Sequence, residues 1–146
     1  MCTVRYMKIE STRHIEADPR RVWDTLSDVD RWPEWLDTVD SLRRLDAGPF
    51  GVGARARIKQ PAFPPAVWEV TELVDGHHFT WEARGPGFRS IGRHVVEPEG
   101  SGARVTLSIE QTGPLAGIAN RFWGRRTRDY VEREGRCLAE RVGAFA

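Results

Sequence analysis

Three polar side chains fall where a folded domain would ordinarily put hydrocarbon. His94 shares the strand phase of Val96, Arg126 interrupts the apolar series Leu115, Ile118, Ala119, Phe122, Trp123 and Tyr130, and Tyr130 follows that arginine by one helical turn. An imidazole can give or take a proton near neutral pH, and a fixed guanidinium can hold a carbonyl, enolate or carboxylate. The phenol of Tyr130 can orient a ligand. Each has a plainer role: a hydrogen-bonded strand histidine, an arginine whose head reaches water past its apolar stem, a packed ring with a bonded tip. The arginine on an apolar stripe suggests that this helix borders a cavity rather than a dry core.

Other chemistries lack the residues they need. His77 and His78 are adjacent on a strand or turn, so their side chains would diverge, and no Cys/His spacing fits zinc; no metal and no cofactor are expected. There is no Gly-x-Ser-x-Gly elbow and no phosphate-binding loop; Gly51-Val-Gly53 and Gly85-Pro-Gly87 lie in turns, not at helix starts. The balance of 22 basic and 21 acidic residues in 146 offers no general attraction to nucleic acid. Arg121, Arg125, Arg126 and Arg128 cluster, but i, i+4 pairs of Arg128 with Glu132, Glu132 with Arg136 and Asp129 with Arg133 read as a solvated helix face. Cys2 and Cys137 have no motif spacing, which fits free thiols in a reducing compartment. With no signal-like or membrane-spanning run, a cytoplasmic protein without integral membrane association is expected. Six tryptophans are a heavy load for one domain and must fill either a core or a binding cavity.

The elements that would position these residues follow from local pattern. Pro114 to Phe145 is the one long helix, opening at Gly113-Pro114 and free of proline thereafter. At about 1.5 Å per residue it spans roughly 45 Å, more than a strand of eight residues covers, so a curved sheet must wrap it. The chain before it begins with a short extension, residues 1–7, and a first strand at Lys8 to Glu16. Asp18 caps a short helix with Pro19 in its first position, running to about Ser27, and a second short helix spans Asp28 to Trp35. Strands at Val39 to Asp46, Ala54 to Gln60, Ala66 to Val74, Phe79 to Arg84, Arg89 to Glu97 and Arg104 to Thr112 form an antiparallel meander with short turns. Residues 8–146 therefore read as one α+β domain. Gln60 is the polar exception on an inner face, and Pro61 to Pro65 makes a stiff rim connection.

This order resembles the polyketide cyclase/dehydrase-like branch of the START-related, birch-pollen-allergen-like helix-grip superfamily. The matching phrases are Ile15-Glu-Ala-Asp-Pro-Arg-Arg-Val-Trp23, Asp28-Val-Asp-Arg-Trp-Pro-Glu-Trp35, Val52-Gly-Ala-Arg-Ala-Arg57, Trp68-Glu-Val-Thr-Glu-Leu73, Gly92-Arg-His-Val-Val-Glu-Pro98 and Ser108 to Leu115. The resemblance implies a seven-stranded antiparallel sheet gripping the C-terminal helix around an apolar cavity. Carried over by position, Trp35, Trp68, Trp81, His94, Phe122, Arg126 and Tyr130 would wall it. It implies no universal catalytic set, since members include cyclases, aromatases and carriers of hydrophobic ligands.

The leading expectation is a binding module for a small aromatic, polyketide-like or lipidic molecule. A second is a cyclase or dehydratase in which Arg126 steadies an enolate-like oxyanion and His94 or Tyr130 transfers the proton. It requires His94 and Arg126 to reach one substrate. A third is a protein-interaction module, which would need an exposed apolar patch on the outer sheet face.

Overall fold

A computed structural model describes residues 6–144. The elements run β1 (Tyr6–Ile15), α1 (Pro19–Ser27), a single 3₁₀ turn (Val29–Arg31), α2 (Trp32–Trp35), β2 (Ser41–Arg44), β3 (Arg55–Lys59), β4 (Ala66–Val74), β5 (His78–Gly85), β6 (Phe88–Glu99), β7 (Gly102–Thr112) and α3 (Ala116–Ala144). All seven strands form one antiparallel sheet in the order β1-β7-β6-β5-β4-β3-β2. The protein is thus an α+β helix-grip domain, as its resemblance implied. β1 starts two residues earlier than expected, β2 shrinks to four residues, and β6 and β7 extend into their shared turn. The expected extension before Tyr6, Cys2 and Phe145 lie outside the described residues.

Local chemistry accounts for the short elements. The Asp18 carboxylate accepts from the Arg20 amide at 2.8 Å, and Pro19 fills the first turn of α1. Val22, Trp23 and Leu26 form the buried face of α1. Trp23 also donates its indole N–H to Asp75 at 3.1 Å, which ties α1 to the β4–β5 turn. The second short helix is a 3₁₀ turn running into four residues of α2, with the Trp32 indole donating to the Leu26 carbonyl at 2.9 Å.

The concave face of the sheet alternates as a half-buried antiparallel sheet should. Ala56 and Ile58 from β3, Val70 from β4, Phe79 and Trp81 from β5, Val96 from β6, and Ala103, Val105 and Leu107 from β7 join the core with α1, α2 and the second half of α3. A register shift between Val70 and Glu72 interrupts the β4–β5 ladder, the kind of irregularity that bends a strand. The second half of α3 is sealed onto this core by Leu138 and Val142. Arg133 pairs with Asp37 at 2.8 Å and Arg141 with Glu34 at 3.1 Å, holding α2 and the chain after it against the helix.

Candidate functional site

The core does not extend under the whole of α3. Between its first half and the far part of the sheet lies a cavity of about 330 Å³. Trp32 and Leu36 close one side, Ile58, Trp68, Trp81, Ala83 and Leu107 line the sheet, and Ala119, Trp123, Thr127, Tyr130, Val131 and Glu134 line the helix. This size lies at the lower end of the range for small-molecule pockets, and an apolar wall with a few convergent polar groups is the usual make-up of such sites.

Trp81 meets three of its neighbours, Trp32, Phe79 and His94, edge to face and a fourth, Trp68, at a tilt. Its ring meets Trp32 at 5.3 Å, Phe79 at 5.4 Å, Trp68 at 5.9 Å and His94 at 5.9 Å between centroids. Directly across the ladder stands Gly92, where an added Cβ would lie 3.2 Å from the indole. The absent side chain gives the ring its seat.

His94, 5% exposed, stacks on Phe79 with centroids 4.1 Å apart and planes 9° from parallel. Its Nδ1 lies 3.4 Å from the Phe79 carbonyl, and its Nε2 lies 3.3 Å from Glu134 Oε2. Glu134 is 18% exposed at its side chain, and Oε2 is buried without a properly angled hydrogen bond. The contact is therefore close in distance but unsatisfied in direction, leaving an acceptor free to engage something in the cavity. A second polar point sits four residues along β6. Gln111 donates to Ser90 Oγ at 3.3 Å while its own Oε1 is buried and unpartnered. At about 3.4 Å per residue the two points lie roughly 13 Å apart along the strand.

The rim of the cavity involves the β3–β4 connection. Phe63 packs against Trp123 at 6.5 Å and Tyr130 at 5.4 Å, and the Tyr130 hydroxyl donates to the Pro61 carbonyl. Burial pushes the Tyr130 phenol above its ordinary pKa. Its hydroxyl anchors a loop, so the role of proton donor to a ligand is already displaced by that bond.

Of the residues expected to wall the cavity, Trp68, Trp81, His94 and Tyr130 do so. Trp35 does not; it packs on Trp32 with centroids 6.2 Å apart, behind the wall that Trp32 forms. Phe122 is 71% exposed, and Arg126 is exposed as well. The reason is helical phase. The inward face of α3 runs through Ala116, Ala119, Trp123, Thr127, Tyr130 and Glu134, so Phe122 and Arg126 point to the flank. His94 and Arg126 do not share the cavity, and the mechanism that joined them has no geometric basis here. Glu134 and Trp32 were missed as wall residues. The available signal for Glu134 was its place four residues after Tyr130 and four before Leu138, on the buried line of the helix.

Two further expectations change. His77 and His78 do not diverge: their Nδ1 atoms stand 3.1 Å apart, because His77 belongs to the β4–β5 turn where strand alternation does not apply. Of the three helical ion pairs expected, only Asp129 with Arg133 forms, at 3.4 Å. Among the described residues no group of three or more His, Cys, Asp or Glu could hold a metal ion, and no described helix is long and apolar enough to cross a membrane.

Known structures share this architecture. The protein TTHA0849 from Thermus thermophilus superposes with a TM-score of 0.77 at 25% identity, covering 96% of this chain and 99% of that one. The Zhui aromatase/cyclase from Streptomyces gives 0.78 at 13% identity, covering 94% of both chains. A START superfamily protein from Mycobacterium smegmatis gives 0.75 at 14% identity, covering 95% of this chain and 99% of that one. None of the curated proteins matches the chain in sequence. The family described as polyketide cyclase / dehydrase and lipid transport matches residues 6–143, nearly the whole sheet and helix that build the cavity, and the chain belongs to that family.

Proposed function

We propose that the protein encloses a small hydrophobic molecule, aromatic, polyketide-like or lipidic, in the cavity between the sheet and the first half of α3. The observation that carries this reading is a 330 Å³ space walled by Trp32, Trp68, Trp81 and Trp123. The two polar points, His94 with Glu134 and Ser90 with Gln111, favour an elongated ligand with an apolar body and polar groups toward both ends. Glu134 Oε2 and Gln111 Oε1 are both unpartnered acceptors, so those groups would be hydrogen-bond donors such as hydroxyls. Native mass spectrometry of the freshly purified protein, compared with the denatured sample, tests it. A co-purified apolar compound is the expected result. An empty protein that also gives no tryptophan-fluorescence response to a panel of aromatic and lipid ligands would refute it.

A second reading, a cyclase- or dehydratase-type enzyme, is favoured by the His94–Glu134 contact alone. In that reading His94 passes the proton to or from a substrate in the cavity, and the Glu134 carboxylate 3.3 Å away would offset the charge on the ring once it takes a proton. Arg126 has no part in it. Replacing His94 by Ala should then abolish turnover of a bound substrate while its binding persists. The interaction-module reading finds no support on the outer sheet face among the described residues, where the one large exposed apolar strand residue is Val74 at the end of β4.

A further inference from the structure

The first half of α3 is amphipathic in the reverse sense. Its inward face carries Ala116, Ala119 and Thr127, while Ile118, 54% exposed, and Phe122 project outward, joined by the half-exposed Leu115 in the turn that leads into the helix. At about 100° per residue these three lie within some 60° of the helix circumference, and Trp123 borders them with its ring 6.1 Å from that of Phe122. Arg121, Arg125 and Arg128 line one side of the stripe and Arg126 continues it; all four are exposed. No described residue forms an ion pair with any of them, and residues 115–128 contain no acidic side chain.

We propose that this face docks on an anionic lipid surface. Exposed Ile and Phe flanked by unpaired arginines have the composition of a helix that lies in the membrane interface, with apolar groups among the acyl chains and guanidinium groups at the phosphates. Trp123 suits the boundary between them, and it also lines the cavity. A membrane touching this face would therefore meet the aromatic rim of the cavity, which gives an apolar ligand a route that avoids water. A second copy of the chain fits poorly, because two-fold contact through this stripe would bring its arginines against their own copies.

Sedimentation with phosphatidylcholine vesicles, with and without phosphatidylglycerol, tests the assignment on the intact chain without knowledge of the ligand. Binding is expected to the anionic vesicles only and to weaken with added salt. Arg121→Glu with Arg125→Glu should lower it by about 25-fold or more, taking each arginine near the surface as roughly fivefold. Ile118→Ser with Phe122→Ser should abolish it while the circular dichroism spectrum and Tm stay close to those of the parent. Absence of binding to anionic vesicles overturns the proposal. So does binding that both double variants retain, or a concentration-dependent dimer that Phe122→Ser dissolves in a protein that ignores vesicles.

Discussion

Trp81→Ala and Phe122→Ala, compared side by side, test the helical phase on which the site rests. Trp81 is 4% exposed and wedged edge-on among Trp32, Phe79 and His94, with Trp68 tilted against it. Truncating a buried tryptophan costs about 3–5 kcal/mol, and the lower end applies because this ring also borders existing empty space and so has fewer contacts to lose. For a domain of this length about 3 kcal/mol corresponds to a fall in Tm of roughly 6–12 °C, and a typical stability of about 5–15 kcal/mol leaves the variant folded. Phe122 is 71% exposed, so its truncation should change stability by no more than about 0.5 kcal/mol. The assay is thermal and guanidinium unfolding followed by circular dichroism, with binding of the dye 1-anilinonaphthalene-8-sulfonate as a cavity probe. Trp81→Ala should alter dye binding and Phe122→Ala should not. Equal losses of stability in the two variants, or a larger loss from Phe122→Ala, would refute the placement of α3 over the cavity.

Three further outcomes follow from particular contacts. Gly135→Ala should raise stability by about 1 kcal/mol, since alanine is the better helix former and the new methyl would stand 3.4 Å from Arg13, in ordinary contact; a lower melting temperature would mean that β1 and α3 approach too closely for it. His14 hydrogen-bonds Glu99 at 2.8 Å and Glu16 at 3.2 Å, and the Glu99 bond followed by the Glu16 bond raises its pKa. That stabilisation is fully present below the unfolded value of about 6.5 and fades as pH rises through the folded value, so the Tm gap between the parent and His14→Gln should be larger near about pH 6 than near about pH 9; a gap that does not narrow with pH would contradict this. Burial pushes the Cys137 thiol up, and in a Cys2→Ser background its reaction with Ellman's reagent should be slow until denaturant is added; rapid labelling of the native protein would place that thiol in solvent.

The sheet was far more legible in sequence than the helix that lies on it. β4 and α1 appear with the limits their proline, cap and alternation signals indicate, and Trp68, Trp81 and His94 face inward because neighbouring strands leave each residue only two directions. A helix has no such binary choice. The apolar series Leu115, Ile118, Ala119, Phe122, Trp123 and Tyr130 spans more than one face, and treating all of it as buried assumes that every large apolar group seeks the core. Over a cavity that assumption weakens, because no packed core rewards every large side chain: Ala119, Trp123 and Tyr130 of the series line the cavity, while Ile118 and Phe122 are left exposed. Glu134 was obscured for a related reason: a carboxylate in a charged helix is ordinarily solvated, and its approach to His94 depends on a crossing of β6 and α3 that no local pattern encodes. Arg121, Arg125 and Arg128 carry their charges openly in the sequence, but the expected pairing of Arg128 with Glu132 made the whole cluster read as a balanced solvated face, and that pair does not form.

The pairing of β1 with β7 also has a consequence in time. Ile9 lies opposite Ile109, so β1, once made, must wait for a partner made 100 residues later. At about 5–20 residues per second that interval is roughly 5–20 s. The strands β2 to β6 pair with sequence neighbours and can assemble as they emerge, whereas β1 can only tether the growing chain. During synthesis its Ile9 and Ile15 remain uncovered while the hairpins mature, and a transcript cut short before Gly102 would yield a sheet with no site for its own first strand. Such a fragment would leave both β1 and one edge of β6 without the partner that β7 provides, two unpaired strand edges open to association with other chains.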